Sequence, residues 1–195
     1  IKYRTERIHH WDRVSPAKSN PRRIGAYYQQ HLQDYFRFLA PPGQRILELG
    51  CGHGDLLAAL EPEFGVGIDF SAEMLKTASR KHPHLHFIRA DVQEIGLNCR
   101  FDVILVSDLV NDLWDVQRVL ERIVDLADSR TRLVINFFNN LWRLPLGVVR
   151  RMGLGADVLE QNWFAPQDVH NLLELSGFEV VKKTQRILLP GGGPG

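Results

Sequence analysis

The stretch Arg45-Ile-Leu-Glu-Leu-Gly-Cys-Gly-His-Gly54 decides the fold. Arg45 to Leu49 is a short, β-compatible apolar run, and the glycine-rich turn Gly50 to Gly54 follows at once. Asp55 to Leu60 then reads as a helix, stopped by Pro62. Glycine permits positive φ and lets a ligand approach the backbone closely. A helix that begins there offers free N–H groups and the positive end of its dipole. Strand, glycine turn and helix together form a cradle for a nucleotide-like or carboxylate-bearing ligand.

Outward from this point the same alternation continues. Phe64 to Asp69 is a second strand, and Ser71 caps a helix running from Glu73 to about Lys81. His86 to Asp91 is a third strand and Phe101 to Ser107 a fourth. A helix over Val116 to Ala127 leads to a fifth strand, Arg132 to Asn136. Ala165-Pro166 opens another helix, which runs to Ser176 with Gly177 as its stop. Phe178 to Lys183 is a sixth strand, and Arg186 to Leu189 either folds back as a truncated hairpin or leaves the sheet at six. Upstream, Ile24, Tyr27, Tyr28, His31, Leu32, Tyr35, Phe36 and Leu39 recur at three and four spacing, which predicts an amphipathic helix over Arg22 to Leu39. Ile1 to Pro21 is polar and mixed, with turn signals at Ser15-Pro16 and Asn20-Pro21.

Strands joined through helices must be parallel, and strands apolar on both sides are covered on both faces. The expectation is an α/β fold: a doubly wound, mostly parallel Rossmann-like sheet of six or seven strands flanked by helices. Residues 1–44 read as an N-terminal arm and cap helix. Residues 45–190 read as the ligand-binding domain, with an insertion at 139–163.

Composition sets the outer limits. The chain has 195 residues, one domain's length at roughly 100–200 residues each. Its formal charge of +1 argues against a nucleic-acid surface driven by bulk charge. Cys51 and Cys99 match no zinc spacing and no disulfide framework, so a reducing, cytoplasmic setting is expected. No apolar run approaches the roughly 20 residues of a membrane helix. His9-His10 lacks a third ligand at sensible spacing, so no metal is expected.

Two acids accompany the glycine turn. Asp69 ends the second strand 19 residues after Gly50, where an acid can accept from both ribose hydroxyls. Asp91 ends the third strand, either beside an adenine amino group or as the cap of the next segment. The dinucleotide fingerprint is G-x-G-x-x-G. Here Gly50, Gly52 and Gly54 alternate, one residue short, with Glu48 two positions ahead.

From Tyr28 to Lys183 the chain resembles the class I S-adenosylmethionine-dependent methyltransferases. The likeness rests on E-x-G-x-G-x-G from Glu48 to Gly54, the acid in Val66-Gly-Ile-Asp-Phe-Ser71, Asp91, Phe101 to Asp108, and the closing Ala165 to Val180. The resemblance implies S-adenosyl-L-methionine as cofactor, with Gly50, Cys51, Gly52 and neighbouring backbone on its methionine portion. It puts Asp69 on the ribose, Phe70 beside the adenine, and Asp91 and Val92 at the adenine edge. Ser107 and Asp108 would face the amino group and the reacting methyl. Glu48 would order the glycine turn, and Tyr28 would line the site or pack in the core. Cys51 reads as a small filler of the turn, and His53 faces either cofactor or solvent.

Methyl transfer is an in-line displacement in which the protein chiefly aligns the partners and excludes water. Where a proton must be removed, Asp108, Asp112, His31 and His10 are the bases to consider, with Asp108 best placed. Asp108 has a second reading, as a ligand of the cofactor's amino group or a helix cap. The insertion carries Arg143, Arg150 and Arg151, which could bind an anionic acceptor or lie on a dimer surface. Ser107-Asp108-Leu109-Val110 lacks the Asn/Asp-Pro-Pro-Tyr/Phe element of amino-group DNA methylators. A small-molecule acceptor is therefore expected, with no nucleic acid and with a homodimer as one arrangement. The glycine turn, acids and closing helix also resemble methyltransferase modules found beside bacterial glycosyltransferases, which implies a sugar or glycolipid-like acceptor. Two alternatives stand beside this reading: a nicotinamide-dependent oxidoreductase, and a non-catalytic S-adenosylmethionine-binding module.

Overall fold

The computed structural model describes residues 2–18, 23–143, 147, 159 and 161–185. Five strands form one parallel sheet: β1 (Arg45–Leu49), β2 (Phe64–Asp69), β3 (His86–Arg89), β4 (Val103–Ser107) and β5 (Arg132–Asn136). Their order is β3-β2-β1-β4-β5. β1 is central because the chain winds outward through β2 and β3, then crosses back to β4 and β5. Leu49 pairs with Ile68 on one side and Val106 on the other. The winding reverses between β1 and β4, and ligands of such sheets bind outside the carboxyl ends at that reversal.

Side chains of β1 alternate between two cores, as a period of two requires. Leu47 and Leu49 join Ile68, Ile104 and Val106 under α5 (Val116–Leu126), whose Val119, Leu120 and Ile123 are buried against them. Ile46 joins Val103 and Leu105 on the opposite face. There it meets Leu32 and Phe36 of α2 (Arg23–Leu39) and Leu56 and Leu57 of α3 (Asp55–Ala59). The predicted cap helix is thus part of the core of the sheet. α4 (Ala72–Lys81) starts at Ser71, whose hydroxyl accepts from the Met74 N–H. α6 (Pro166–Leu175) closes the α5 side through Val169.

The structure corrects two expectations. Phe178 to Lys183 forms no sixth strand; residues 178–185 are irregular. Phe178 still packs on the core, but Val181 is 90% exposed. A strand there would gain ladder bonds but little burial. Arg186 to Leu189, read as its extension, lies outside the described residues. Ser15-Pro16 is not a turn: α1 runs over Lys2–Lys18 with Pro16 inside it. Pro16 falls in the last turn, where it removes one donor without breaking a following turn.

Gly67 lets the glycine turn settle on the sheet. A Cβ at that position would stand 2.7 Å from Cys51 Sγ and 2.9 Å from Phe87 Cδ1. Gly67→Ala is expected to cost about 1–3 kcal/mol by overpacking, read from urea unfolding. Adding Cys51→Ala should recover part of the loss; no recovery would mean that the turn does not rest on Gly67.

Candidate functional site

The glycine turn closes onto the end of β2. Gly50, Gly52 and Gly54 all take positive φ, at 72°, 52° and 72°. The N–H groups of Gly50 and Cys51 both donate to the Ile68 carbonyl, at 2.8 and 3.0 Å. The Gly52 N–H donates to Asp69 Oδ2 at 2.9 Å, and the Ser71 N–H donates to Asp69 Oδ1 at 2.8 Å. One carboxylate therefore ties the turn after β1 to the entrance of α4. A Cβ on Gly52 would find no atom within 4 Å, so this face of the turn is open to a ligand. Cys51 is buried over Gly67, and burial pushes its thiol well above its ordinary pKa. It packs as a filler, without thiolate character.

Glu48 faces the α3 side of the sheet and is buried there. Its Oε2 accepts the Leu57 N–H at 3.1 Å, anchoring the first turn of α3. Burial pushes its pKa up to about 8, with a smaller contribution from the nearby Asp69 charge. Asp91 is also buried, at the base of the 3₁₀ turn Val92–Glu94, with Val92 in the core behind it. Its Oδ1 accepts from the Gln93 N–H at 3.0 Å, and its Oδ2 lies 3.3 Å from Arg4 Nε. Phe70 is half-buried, and its carbonyl accepts from Arg89 Nε at 3.2 Å.

A second cluster stands at the ends of β4 and β5. Asp108 follows Ser107 with φ at 52°, a left-handed conformation uncommon outside glycine, though tolerated best by Asp and Asn. Tyr28 of α2 donates its hydroxyl to Asp108 Oδ1 at 2.7 Å. Asn136 Nδ2 donates to the same oxygen at 2.6 Å, and approaches the Tyr28 hydroxyl at 3.3 Å. Burial first, then the Asp108 charge, raises the Tyr28 pKa, so the phenol keeps its proton and stays a donor. The Tyr28 ring also stacks on Phe138, centroids 5.8 Å apart. Its ring is thus packed while its hydroxyl is held by Asp108. Beneath the cluster, buried Asn111 holds the chain after β5 in place. Its Nδ2 donates to the carbonyls of Phe138 and Asn162, and its Oδ1 accepts the Phe138 N–H.

Sequence reasoning missed the roof of the site. α1 crosses the carboxyl ends of the strands and touches the loop after each of β1 to β4. Ser15 shares a 3.0 Å hydrogen bond with His53, and both are buried. Asp12 accepts from the Ser71 hydroxyl and from the Glu73 N–H at the start of α4. Arg4 reaches Asp91, and Arg7 reaches Asp112 at 2.9 Å in a buried ion pair. The Tyr3 hydroxyl donates to the Asp112 carbonyl at 2.8 Å. The buried positions of α1 are polar ones, Arg7, His10 and Ser15, so no apolar period announces the helix. The only available signal was an uninterrupted run of helix-tolerant residues up to Pro16.

Of the bases considered, Asp108 alone sits in the cluster with Tyr28 and Asn136. Asp112 is engaged by Arg7, His10 is buried beneath α1 beside Arg13, and His31 is exposed against Tyr27. Arg143 is exposed, while Arg150 and Arg151 lie outside the described residues. Among the described residues, no group of three or more His, Cys, Asp or Glu could hold a metal. Asn136 was not singled out, because at the end of a strand it reads only as a terminator.

Comparison with known proteins agrees with this geometry. Residues 46–129 match the family described as methyltransferase domain. A magnesium protoporphyrin IX methyltransferase from Synechocystis, solved with S-adenosylhomocysteine, superposes with a TM-score of 0.65 at 22% identity, covering 84% of this chain and 80% of that one. A Haloferax volcanii structure of a methyltransferase activator in complex with a methyltransferase gives 0.74 at 16% identity, over 95% and 83% of the chains. A 2-phytyl-1,4-naphtoquinone methyltransferase of Trichormus variabilis is 30% identical over 51% of this chain and 49% of its own. A ubiquinone biosynthesis O-methyltransferase of Bradyrhizobium diazoefficiens is 28% identical over 68% and 58%. The chain thus spans about half the length of the curated relatives it matches. Residues 46–129 thus resemble a methyltransferase domain, and the sheet has the fold of methyltransferases solved with S-adenosylmethionine or S-adenosylhomocysteine. Neighbours of this fold were solved with S-adenosylhomocysteine or S-adenosylmethionine, which supports that cofactor over the nicotinamide alternative.

Two measurements probe the site's architecture. Arg7→Met leaves Asp112 buried without its cation. It is expected to raise hydrogen exchange across α1 and to cost about 3 kcal/mol. The Arg7→Met/Asp112→Asn pair should cost clearly less; equal costs would mean that the ion pair does not hold α1. Glu48 makes stability depend on pH. The unfolded chain releases this proton near 4.5 and the folded chain near 8. Between those values only the folded state holds the proton, so stability falls as pH rises, by up to about 1.4 kcal/mol per pH unit. Glu48→Gln keeps a carbonyl for the Leu57 N–H and should flatten that slope in urea titrations from pH 5 to 8. Parallel slopes for the two proteins would refute the raised pKa.

Proposed function

We propose that this chain transfers a methyl group from S-adenosylmethionine to a small-molecule acceptor by in-line displacement. The observation that carries the reading is Asp69 at the end of β2, holding the Gly52 N–H while the face of Gly52 stays open. That arrangement fits the cofactor's two ends: an acid for ribose hydroxyls beside a backbone free of side-chain bulk. The cofactor supplies a methyl group already activated on a positively charged sulfur.

The chain's own residues divide the remaining work. Asp69 and Phe70 would bind the ribose and flank the adenine, with Asp91 and Val92 at its edge. Gly50, Cys51 and Gly52 would meet the methionine portion through the turn's open face, since the Gly50 and Cys51 N–H groups are engaged by Ile68. Glu48 would act at one remove, fixing α3 behind the turn. Ser107 and Asp108 would stand at the reacting end, where Asp108 is the acceptor for a proton leaving a hydroxyl or amine nucleophile. α1 and Tyr28 would exclude water from the same end.

For the acceptor, the site favours a ring-bearing compound. The support is the Tyr28–Phe138 stack beside Asp108, and the quinone and porphyrin in the names of the relatives above. The sugar or glycolipid expected from the sequence has no counterpart among those names. Two free cysteines support a cytoplasmic setting, and no helix among the described residues is long and apolar enough to cross a membrane.

Calorimetry tests the reading directly. The protein should bind S-adenosylhomocysteine and not NAD, and Asp69→Ala should weaken binding at least tenfold, about 1.4 kcal/mol. Binding of NAD alone would sink the proposal. Unchanged affinity in a folded Asp69→Ala protein would remove Asp69 from the site.

A further inference from the structure

Asn136 carries an acceptor that meets no donor among the described residues. Its orientation is not arbitrary. The Nδ2 group lies 2.6 Å from Asp108 Oδ1 and 3.3 Å from the Tyr28 hydroxyl. A flipped amide would set its oxygen against a carboxylate oxygen at that distance, two acceptors with no hydrogen between them. Oδ1 must therefore point away from Asp108. It is buried and has no hydrogen-bond partner among the described residues. A buried acceptor left without a donor costs about 1–3 kcal/mol, and native proteins leave few of them.

The position sharpens the point. Asn136 is the last residue of β5, in register with Ser107 and beside Asp108. The preceding residues of the strand, Leu133, Val134 and Ile135, are apolar and suit a pleated sheet. An aliphatic residue would continue that pattern without stranding a polar atom. The chain instead places an amide at the carboxyl end of the sheet, the end that holds the glycine turn and Asp69. One end of that amide locks Asp108, and the other is a buried acceptor beside it with no partner among the described residues.

We propose that Asn136 Oδ1 is a ligand-binding atom that accepts a hydrogen bond from an N–H or O–H group at the reacting end of the cleft. This rests on the methyltransferase reading above. Two molecules bring such a donor there: the cofactor through its amino group, and the acceptor through the hydroxyl or amine to be methylated. In either case Asn136 selects for a ligand that carries a hydrogen, as a site built to hydrogen-bond a group discriminates against analogues lacking it.

The test compares Asn136→Leu with Tyr28→Phe, using intact protein and calorimetry. Both variants remove a donor to Asp108, but only Asn136→Leu removes the acceptor atom. Three probes are used: S-adenosylhomocysteine, 5′-methylthioadenosine (which lacks the amino-acid portion), and catechol added to the S-adenosylhomocysteine-loaded protein. If the cofactor's amino group is the donor, Asn136→Leu should bind S-adenosylhomocysteine at least tenfold more weakly and 5′-methylthioadenosine unchanged. If the acceptor's hydroxyl is the donor, catechol binding should fall tenfold with S-adenosylhomocysteine unchanged. In both cases Asn136→Leu should lose at least threefold more of that affinity than Tyr28→Phe, which also loosens Asp108 but keeps Oδ1. Equal losses in the two variants would show that Asn136 acts only by holding Asp108, and would overturn the proposal. So would unchanged binding of all probes by a folded Asn136→Leu protein. Failure of the wild-type protein to bind S-adenosylhomocysteine would sink the methyltransferase reading itself.

Discussion

The carboxylate of Asp69 is the joint on which the working end of this molecule depends. Its two oxygens accept from Gly52 and Ser71, so one side chain sets both the turn after β1 and the entrance to α4. Ser71 in turn caps α4 and donates to Asp12 of α1. A single acid at the end of β2 thereby links the central strand, a flanking helix and the roof. Charge-assisted hydrogen bonds to backbone N–H groups are among the stronger ones available, and they have fixed geometry. The glycine turn can therefore be open on its ligand side, because it is held from below.

The two faces of β1 solve different problems. Towards α5 the strand presents only aliphatic side chains, and the interface is ordinary packing. Towards α3 it presents Glu48, a carboxyl in a place where charge is costly. With its pKa pushed up to about 8, most of the population is protonated at neutral pH. A neutral carboxyl still accepts from the Leu57 N–H and so fixes α3, a helix too short to hold itself. The acid is better understood as a hydrogen-bonding spacer than as a charge.

Most of the sheet was legible because its signals are local and apolar. The run Arg45 to Leu49, the Ser71 cap and the alternation from Phe64 to Asn136 each declare themselves within a few residues. α5 does so too, through Val116, Val119, Leu120 and Ile123. What was not legible depends on partners distant in sequence. α1 buries Arg7, His10 and Ser15, whose complements Asp112 and His53 lie tens of residues away. Periodicity analysis counts such residues as solvent-facing, so a helix fastened by polar bonds reads as an arm. The missing sixth strand shows the converse error. Phe178 to Lys183 has strand-like residues, but Val181 finds nothing to pack against, and propensity without burial does not make a strand. The site shows the same division. Asp69 and the glycines were found by spacing, whereas Asn136 became visible only when β5 was laid beside β4.

Departures from ordinary structural rules occur at both ends of the sheet and differ in kind. At the amino ends of the strands Asp102 caps the Arg45 N–H and Thr131 bonds the Phe101 carbonyl, and the one departure among the described backbone angles is Glu61, ahead of β2, with φ at 49°. At the carboxyl ends, Asp108 takes a left-handed backbone, Asn136 leaves an acceptor unmet among the described residues, and an ion pair is buried between Arg7 and Asp112. Each of these is unfavourable taken alone, and none is needed to build a parallel sheet. Sequences that fold well agree across levels, and where they disagree the conflict is usually functional. The Tyr28–Asp108–Asn136 cluster contains two of the three conflicts within a few ångströms, and each is explained by the same need. On the reading proposed above, a carboxylate is held in one orientation by donors from α2 and β5, with an acceptor beside it for a ligand. Two elements far apart in sequence thus converge on one oxygen of Asp108, which local sequence signals cannot announce.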